Sequence, residues 1–335
     1  MLAPFITVII PNFNYEAYVG ECVQSVLSQD YGHFEVIVVD DGSKDGSWDV
    51  IQSFGSRIKA LRVENGGALR ACLAATDIAR GDYIYILDSD DRLSTTRALS
   101  QIAEVCKAGP SKVQFALQPV DGGGAPIGQV FPQLKGDLTS ADLIAAVLDN
   151  GCYVSPPTSG NVYRRDVWEV ARSVDYETWT DGVVYLLSPF RGKVVSLPMP
   201  LAEYRIHGRN DSTAPATGGR FQREADRFAK RLEHLRTLVP PEYAARLKPA
   251  DQYFFFNERL VLDKSFGERS FGRQTILRTL RSLVGQRQST GRMLFMMAWF
   301  LSLTVAPKGL RLKLASLRQK PLYSLRLLEM LKRLS

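Results

Sequence analysis

The chain has 335 residues, enough for one large α/β domain or for one domain followed by a helical region. Apolar residues make up 45% of the chain and charged residues 23%, which excludes a largely disordered protein. Its four cysteines are widely spaced and include no CxxC pair, so neither a zinc knuckle nor a disulfide framework is indicated, and buried thiols in a reducing compartment are expected.

The net charge of +7 is unevenly distributed along the chain. Residues 1–219 carry 18 basic and 26 acidic side chains, whereas residues 220–335 carry 24 basic and 9 acidic ones. Acidic groups are suited to a metal ion, and basic groups to an anionic partner. Together with the structural patterns below, this contrast predicts a first domain over residues 1–215 and a basic helical region over residues 216–335.

Strand and helix patterns alternate over the first hundred residues. Strands are predicted at four apolar runs, residues 5–10, 34–39, 58–63 and 83–87. A helix is predicted after each of the first three strands, and Asn14 is expected to cap the first helix. This rhythm predicts an α/β fold with a doubly wound, mostly parallel sheet.

Beyond residue 110 the pattern is mixed. The elements predicted there are two hairpin strands, a helix, a buried helix and a short strand, at residues 112–119, 127–131, 139–149, 180–190 and 194–197 respectively. From about residue 215 onward strand patterns end, and Arg-rich amphipathic helices are predicted.

Polar, turn-forming residues follow three of the predicted strands. They are Pro11-Asn12-Phe13-Asn14, Asp40-Asp41-Gly42-Ser43 and Asp88-Ser89-Asp90-Asp91. The carboxyl ends of parallel strands meet at one edge of a sheet, where ligands bind in open α/β folds. Crowded carboxylates need a compensating cation, and their hard oxygen atoms suit Mg²⁺ or Mn²⁺, which in turn suit a diphosphate. Each segment alone also fits an ordinary turn or helix cap.

At these segments the sequence resembles the family 2 glycosyltransferases, which have the GT-A nucleotide-sugar-binding fold. The similar stretches are VIIPNFNYEAYVGECVQSVLSQDY, FEVIVVDDGSKDGS, ENGG, ARGDYIYILDSDD, PPTSGNVYRR, TDGVVYLLSPFRGKV and YRIHGRNDS. The resemblance implies an inverting, metal-dependent enzyme that moves a sugar from a nucleoside diphosphate sugar, with UDP expected, to a hydroxyl of a carbohydrate or lipid-linked acceptor.

The resemblance also implies roles for individual residues. Pro11 and Phe13 are similar to the nucleobase pocket, and Asp41 is similar to the carboxylate that binds the base. Asp90 is similar to the residue that binds the metal, with His207 closing over the diphosphate or the metal. Further donor-binding positions are expected at Asn14, Asn65, Gly67, Arg70, Asp88 and Ser89.

Asp181 is the residue that the resemblance places as the general base. It opens an apolar helix, where the dipole favours an ionised carboxylate, although an ordinary helix cap fits the same position. Asp175 and Glu177 are nearby alternatives. The pair Cys72-Leu73 departs from the family pattern, which has an Asn-containing pair there.

Two other functions remain open from the sequence. A sugar-nucleotide nucleotidyltransferase would have the same alternation of strands and helices. However, the first strand is not followed by the phosphate-binding loop that such an enzyme needs. A nucleotide-sugar-binding module without catalysis is the second alternative.

The basic region is expected to face an anionic membrane, or else to pack against the first domain or a second subunit. Its apolar run at residues 293–306 is short for a bilayer span, and basic residues follow it, as in a helix that lies on a membrane surface. No RNP, KH or helix-turn-helix pattern occurs, so nucleic acid is not expected. No export signal is apparent, so a cytoplasmic protein is expected. Its basic region would then contact the inner face of the plasma membrane.

Overall fold

The structure is a computed structural model that describes residues 3–180, 182–208, 210, 219–266, 272–285 and 290–317. The chain divides into two compact units. The first comprises Met1–Ile144 and Tyr153–His207, and the second comprises Ala145–Cys152 and Gly208–Ser335.

One mixed sheet organises the first unit. Its strands are β1 (Ile6–Asn12), β2 (Phe34–Asp40), β3 (Lys59–Arg62), β4 (Tyr83–Ile86), β5 (Arg92–Leu93), β6 (Lys112–Asp121), β7 (Asn161–Arg164) and β8 (Val194–Ile206). Their order is β3-β2-β1-β4-β7-β6-β8-β5. Only β7 and β5 run antiparallel to their neighbours, and the other adjacent pairs are parallel. The predicted α/β class with a mostly parallel sheet is confirmed.

Helices cover both faces of this sheet. They are α1 (Glu16–Leu27), α2 (Ser47–Gln52), α3 (Ala68–Ile78), α4 (Ala98–Cys106), α6 (Arg165–Trp168) and α7 (Val183–Arg191). Helix α5 (Ser140–Asn150) begins in the first unit and ends in the second. Strand β1 shows why its run of apolar residues is continuous. Val8 belongs to the same core cluster as Val23 of α1, whereas its neighbour Ile9 belongs to the cluster that contains Ala75 of α3. Successive side chains of a strand point to opposite faces, so both sets are buried.

The second unit is helical, as the sequence predicts. Its main helices are α8 (Arg220–Leu238), α9 (Pro241–Ala244), α10 (Phe254–Phe266), α11 (Arg273–Val284), α12 (Thr290–Val305) and α13 (Lys308–Leu317). Among the described residues, no helix combines the length and the apolar character that crossing a membrane requires.

Strand β8 differs from its prediction. It covers 13 residues rather than four, and it pairs in parallel with β6 along the whole of that strand. Pro198 and Pro200 lack N–H donors and indicated an early end, but register shifts opposite Phe115, Ala116 and Leu117 accommodate them. In place of the second predicted hairpin strand, at residues 127–131, Phe131 and the preceding Pro126 each make one isolated bridge to β6.

Candidate active site

The loops after β1 and β2 are fastened to each other. Asn12 Nδ2 donates to Asp40 Oδ1 and to Ser43 Oγ, both at 3.2 Å. The Asn14 amide donates to Ser43 Oγ at 2.9 Å, and Asn14 Oδ1 accepts the Lys44 amide at 2.7 Å. The strand ends predicted to meet at one edge therefore do meet, held by side chains of both loops.

Asn14 does not cap the first helix, contrary to the prediction. It has a φ of 57°, and α1 begins after Tyr15, which provides no side-chain cap. The Glu16 amide instead donates to Asp45 Oδ2 at 3.1 Å, and Glu16 Oε2 accepts the Gly46 amide at 3.0 Å. The loop after β2 thus provides a hydrogen-bond acceptor for a free backbone N–H group at the start of α1.

Asp41 holds the loop at residues 64–67 against the end of β2. Its carboxylate is buried and accepts the amide of Gly66 on Oδ1 at 2.8 Å and that of Gly67 on Oδ2 at 2.9 Å. Asn65 Nδ2 donates to the Asp41 carbonyl at 2.9 Å. Arg70 is exposed on the first turn of α3, and its side chain lies against Gly66. Four of the predicted donor-binding residues therefore belong to one hydrogen-bonded loop and the helix that it begins.

Pro11 and Phe13 flank Asn12 at the same edge. Pro11 is buried opposite Val39, whereas the Phe13 side chain is 42% exposed. An exposed ring next to polar loops is available to a flat ligand, which a core phenylalanine is not.

The acidic turn, Asp88-Ser89-Asp90-Asp91, follows β4. Asp91 is buried, and its oxygens accept hydrogen bonds from Ser159 Oγ at 2.5 Å and from the Arg205 amide at 2.8 Å. Burial and the charges of Asp90 and Asp88 raise the pKa of Asp91 well above its usual range. Asp91 therefore anchors the turn to two distant segments of the first unit.

Asp88 and Ser89, the first two residues of the acidic turn, differ from each other in burial and in hydrogen bonding. Asp88 is half-buried, and its amide donates to Ser159 Oγ at 3.1 Å. Ser89 is buried, and its hydroxyl has no hydrogen-bond partner among the described residues.

Arg205 is a site residue that the sequence did not single out. It is 2% exposed, and its guanidinium donates to the Asp90 carbonyl at 2.9 Å and to the Gly122 carbonyl at 3.1 Å. It also forms an ion pair with Glu21 at 2.5 Å and lies over the ring of Tyr18. The available signal was an arginine two residues before a histidine in the YRIH stretch, and nothing in the sequence indicates that this arginine is buried.

Asp90 and His207 form a close pair. Asp90 Oδ2 lies 3.1 Å from His207 Nε2, and their side chains are only 10% and 7% exposed. Burial raises the pKa of Asp90, and the hydrogen bond with His207 opposes that shift. The His207 ring stacks on Tyr18 and meets Tyr15 edge-on, with centroids 5.0 and 5.6 Å apart. The structure brings the two predicted metal-binding residues together.

This donor set fits a hard divalent cation. A carboxylate oxygen and an imidazole nitrogen are ligands that Mg²⁺ or Mn²⁺ accepts, and Mg²⁺ usually takes one or two carboxylates, with phosphates and water completing its shell. In the described part of the chain no group of three or more His, Cys, Asp or Glu residues could hold a metal ion. Asp90 and His207 would therefore hold a cation together with a ligand's phosphates rather than alone.

Cys72 lies on α3, within reach of the charges of Asp41 and Asp88. It is fully buried, and after burial itself the charges of Asp88 and Asp41 raise the pKa of its thiol well above the usual value. Both carboxylates are thus near the position where the family pattern has its Asn-containing pair. In this chain the first residue of that pair is Cys72, whose thiol is buried.

Asp181, the predicted general base, lies outside the described residues. Of the alternatives, Asp175 is exposed, and Glu177 is half-buried with its carboxylate against Gly182. Thr180 is buried, and its hydroxyl shares a 3.2 Å hydrogen bond with that of Thr158.

Comparison with known proteins agrees with this geometry. The model of glycosyl transferase family 2 matches residues 7–139. The glycosyltransferase alr2836 of Nostoc sp. (strain PCC 7120) is 37% identical over 224 residues, which cover 63% of this chain and 68% of that protein. The chain belongs to glycosyl transferase family 2. This membership confirms the predicted enzyme class and excludes the nucleotidyltransferase alternative.

Two further proteins are similar to this chain. GlyG, a glycosyltransferase of Streptococcus pneumoniae serotype 4, is 40% identical over 94 residues, 27% of this chain and 31% of that protein. The crystal structure of S. aureus TarS 1–349 in complex with UDP-GlcNAc has a TM-score of 0.59 at 16% identity and covers 93% of this chain and 89% of that one. The similarity to TarS shows that this chain and TarS have the same fold.

Proposed function

We propose that this enzyme transfers a sugar, with inversion, from a nucleoside diphosphate sugar to a hydroxyl of a carbohydrate or lipid-linked acceptor. The observation that carries the proposal is the contact between Asp90 of the acidic turn and His207, at the edge where β1, β2 and β4 end. UDP is the nucleotide that we favour, and the UDP-GlcNAc and UDP complexes of TarS support that choice.

The donor nucleotide would occupy the edge formed by the first two loops. Phe13 offers an exposed ring to the base, with Pro11 beside it. Asp41 is fixed by Gly66 and Gly67 and would accept a hydrogen bond from the base on a remaining lone pair. In this proposal Asn14, Asn65 and Arg70 shape the same pocket, and Asp88 and Ser89 face the ribose and the diphosphate.

Asp90 and His207 would hold Mg²⁺ or Mn²⁺. Such a cation supplies positive charge that stabilises a nucleoside diphosphate leaving group. The role of Arg205 is to fix the acidic turn, since its guanidinium binds the Asp90 carbonyl rather than the Asp90 carboxylate. That arrangement leaves the carboxylate oriented toward His207.

Asp181 is the general base in this proposal, from the sequence alone. The acceptor hydroxyl has a high pKa, so its proton must leave as its oxygen attacks the anomeric carbon. A positioned carboxylate that takes this proton contributes roughly 10²–10⁴-fold to the rate. Attack from the face opposite the leaving group, with a single base, inverts the anomeric configuration.

The test is a screen of UDP-, GDP- and dTDP-sugars for hydrolysis and transfer, each with Mn²⁺, with Mg²⁺ and with EDTA. We expect turnover of a UDP-sugar that depends on the divalent cation. Inertness toward all donors in the presence of the metal would contradict the proposed activity and favour a binding module.

For the basic helical unit we propose contact with an anionic membrane from the cytoplasmic side. Leu294, Leu301 and Val305 lie seven and four residues apart on α12, hence on one helix face, and they are 58%, 44% and 83% exposed. Lys308 and Lys313 follow on α13 and are exposed. Apolar side chains beside cations suit a membrane surface. A dimer that buries the same face is the competing outcome, distinguished by light scattering in the absence of lipid.

A further inference from the structure

A cleft of about 600 Å³ opens within the second, helical unit. One wall is a face of α11 that includes Gln274, Arg278 and Arg281, and the other is the segment from Lys248 to Gln252. Residues four and three positions apart lie on one side of a helix, so both arginines point to the same wall. No residue of the proposed donor site belongs to this cleft.

The cleft is predominantly cationic. Three basic side chains line it, Lys248, Arg278 and Arg281, against the single carboxylate of Asp251. Lys248 Nζ lies over the Tyr253 ring, 5.7 Å from its centroid, and reaches only a main-chain carbonyl, that of Asp149 at 3.4 Å. Within the described ranges, neither Arg278 nor Arg281 forms a side-chain hydrogen bond or an ion pair.

Among the residues that the structure describes, no hydrogen bond or ion pair gives these arginine side chains a structural role. The opposite face of α11 makes the packing contacts: Leu283 is buried, and Ile276 and Leu280 pack against a core cluster. Two exposed guanidinium groups one turn apart repel each other, which costs stability unless an anion lies between them. Guanidinium groups present forked donors that match the oxygen atoms of a phosphate.

One apolar side chain of the cleft lining and one outside it on the same helix are exposed. Leu277 lines the cleft and is 43% exposed, and Val284, two helical turns further along α11, is 60% exposed. A fully polar polyanion would gain no binding energy from burying these apolar side chains. A phosphate group attached to an apolar body would cover them while its oxygens meet the arginines.

We propose that this basic cleft binds the phosphate group of an anionic lipid, with Arg278 and Arg281 as its principal ligands. The inference rests on the membrane contact proposed above and gives that contact a specific site. Soluble phosphates share the same chemistry, so the experiment must separate the two sources.

The test uses the full chain and sedimentation with vesicles of phosphatidylglycerol mixed with phosphatidylcholine, or of phosphatidylcholine alone. The cleft variant is Arg278→Gln/Arg281→Gln. The control, Arg223→Gln/Arg246→Gln, removes the same charge from exposed positions of the same unit outside the cleft. The energy that two basic groups gain near an anionic surface corresponds to about thirtyfold weaker partitioning of the cleft variant, and we expect less than about threefold for the control. Thermal unfolding of each variant checks that it is folded.

Three results would overturn the proposal. They are absence of wild-type binding to the anionic vesicles, equal losses in the two double variants, and binding of soluble glycerol 3-phosphate by calorimetry without binding to vesicles. UDP affinity is measured on the same wild-type sample, so failure of the donor site appears as missing UDP binding whatever the vesicles show.

Discussion

Asp91 Oδ2 accepts a 2.5 Å hydrogen bond from Ser159 Oγ, which joins the acidic turn to the segment before β7. The same hydroxyl accepts the Asp88 amide at 3.1 Å, so one serine fixes both ends of the turn. Since Asp91 is buried, the partner that Ser159 provides replaces water that the carboxylate cannot reach. The position of Asp90 between these ends depends on that serine.

Ser159→Ala should therefore destabilise the protein by about 1–3 kcal/mol, because a buried carboxylate loses a hydrogen bond. Urea unfolding measures the change. Ser28→Ala removes a surface hydroxyl that bonds only to the Ser25 carbonyl, and it should cost less than about 0.5 kcal/mol. Equal effects of the two substitutions would show that Ser159 does not support the turn.

Gly67→Ala should damage the donor loop. Gly67 has a φ of 90°, and an added Cβ would lie 2.8 Å from Thr178 Cβ. Its amide also donates to Asp41, so movement of the loop should weaken UDP binding by roughly tenfold, the equivalent of one charge-assisted hydrogen bond. Gly109→Ala is the matched control, with a φ of 70° and no atom within 4 Å of the added Cβ. A weaker effect at Gly67 than at Gly109, in both unfolding and UDP affinity, would be inconsistent with this role.

The cysteines should differ in reactivity. Cys22, Cys72 and Cys106 are buried and Cys152 is half-buried, and none forms a disulfide. Burial raises the pKa of Cys106 to about 12, and the pKa values of Cys22 and Cys72 are also raised, so their reactive thiolates are scarce at pH 8. Ellman titration at that pH should detect one rapid thiol, which Cys152→Ser removes, and three more after denaturation. Two or more rapid thiols in the native protein would contradict the burial pattern.

The general base is tested by Asp181→Asn. We expect transfer to fall by roughly 10²–10⁴-fold while UDP affinity stays within about twofold, because the base acts on the acceptor rather than the donor. Glu177→Gln, the nearby half-buried alternative, should retain most of the transfer rate. A reversed outcome, with Glu177→Gln inactive and Asp181→Asn active, would move the role to Glu177.

The sheet and its edge were predictable because local patterns determine them. Apolar runs of strand length, such as the one in β1, mark buried parallel strands, and the rule that such strands end at one edge needs no tertiary information. The long β8 was not predictable, since Pro198 and Pro200 oppose a strand locally, and only pairing with β6 overrides that preference.

The support of the acidic turn was also hidden in the sequence. Arg205 binds residues 114 and 115 positions earlier in the chain, and Ser159 binds one 68 positions earlier. Nothing in the local sequence of either residue indicates that its side chain or amide will meet Asp90 or Asp91. The position of Asn14 could not be predicted from its neighbours either. It bonds to Ser43, 29 residues away, instead of capping the helix that follows it.

In the proposed donor site Asp90 would hold the divalent cation on which binding of the donor's diphosphate depends. Calorimetry of UDP binding to the wild type and to Asp90→Asn, each with Mn²⁺ and with EDTA, tests this role most directly. We predict that EDTA weakens UDP binding to the wild type by at least about tenfold and that Asp90→Asn abolishes this difference. UDP binding that is equally tight with and without Mn²⁺ in the wild type, or a metal effect that persists in Asp90→Asn, would contradict the account.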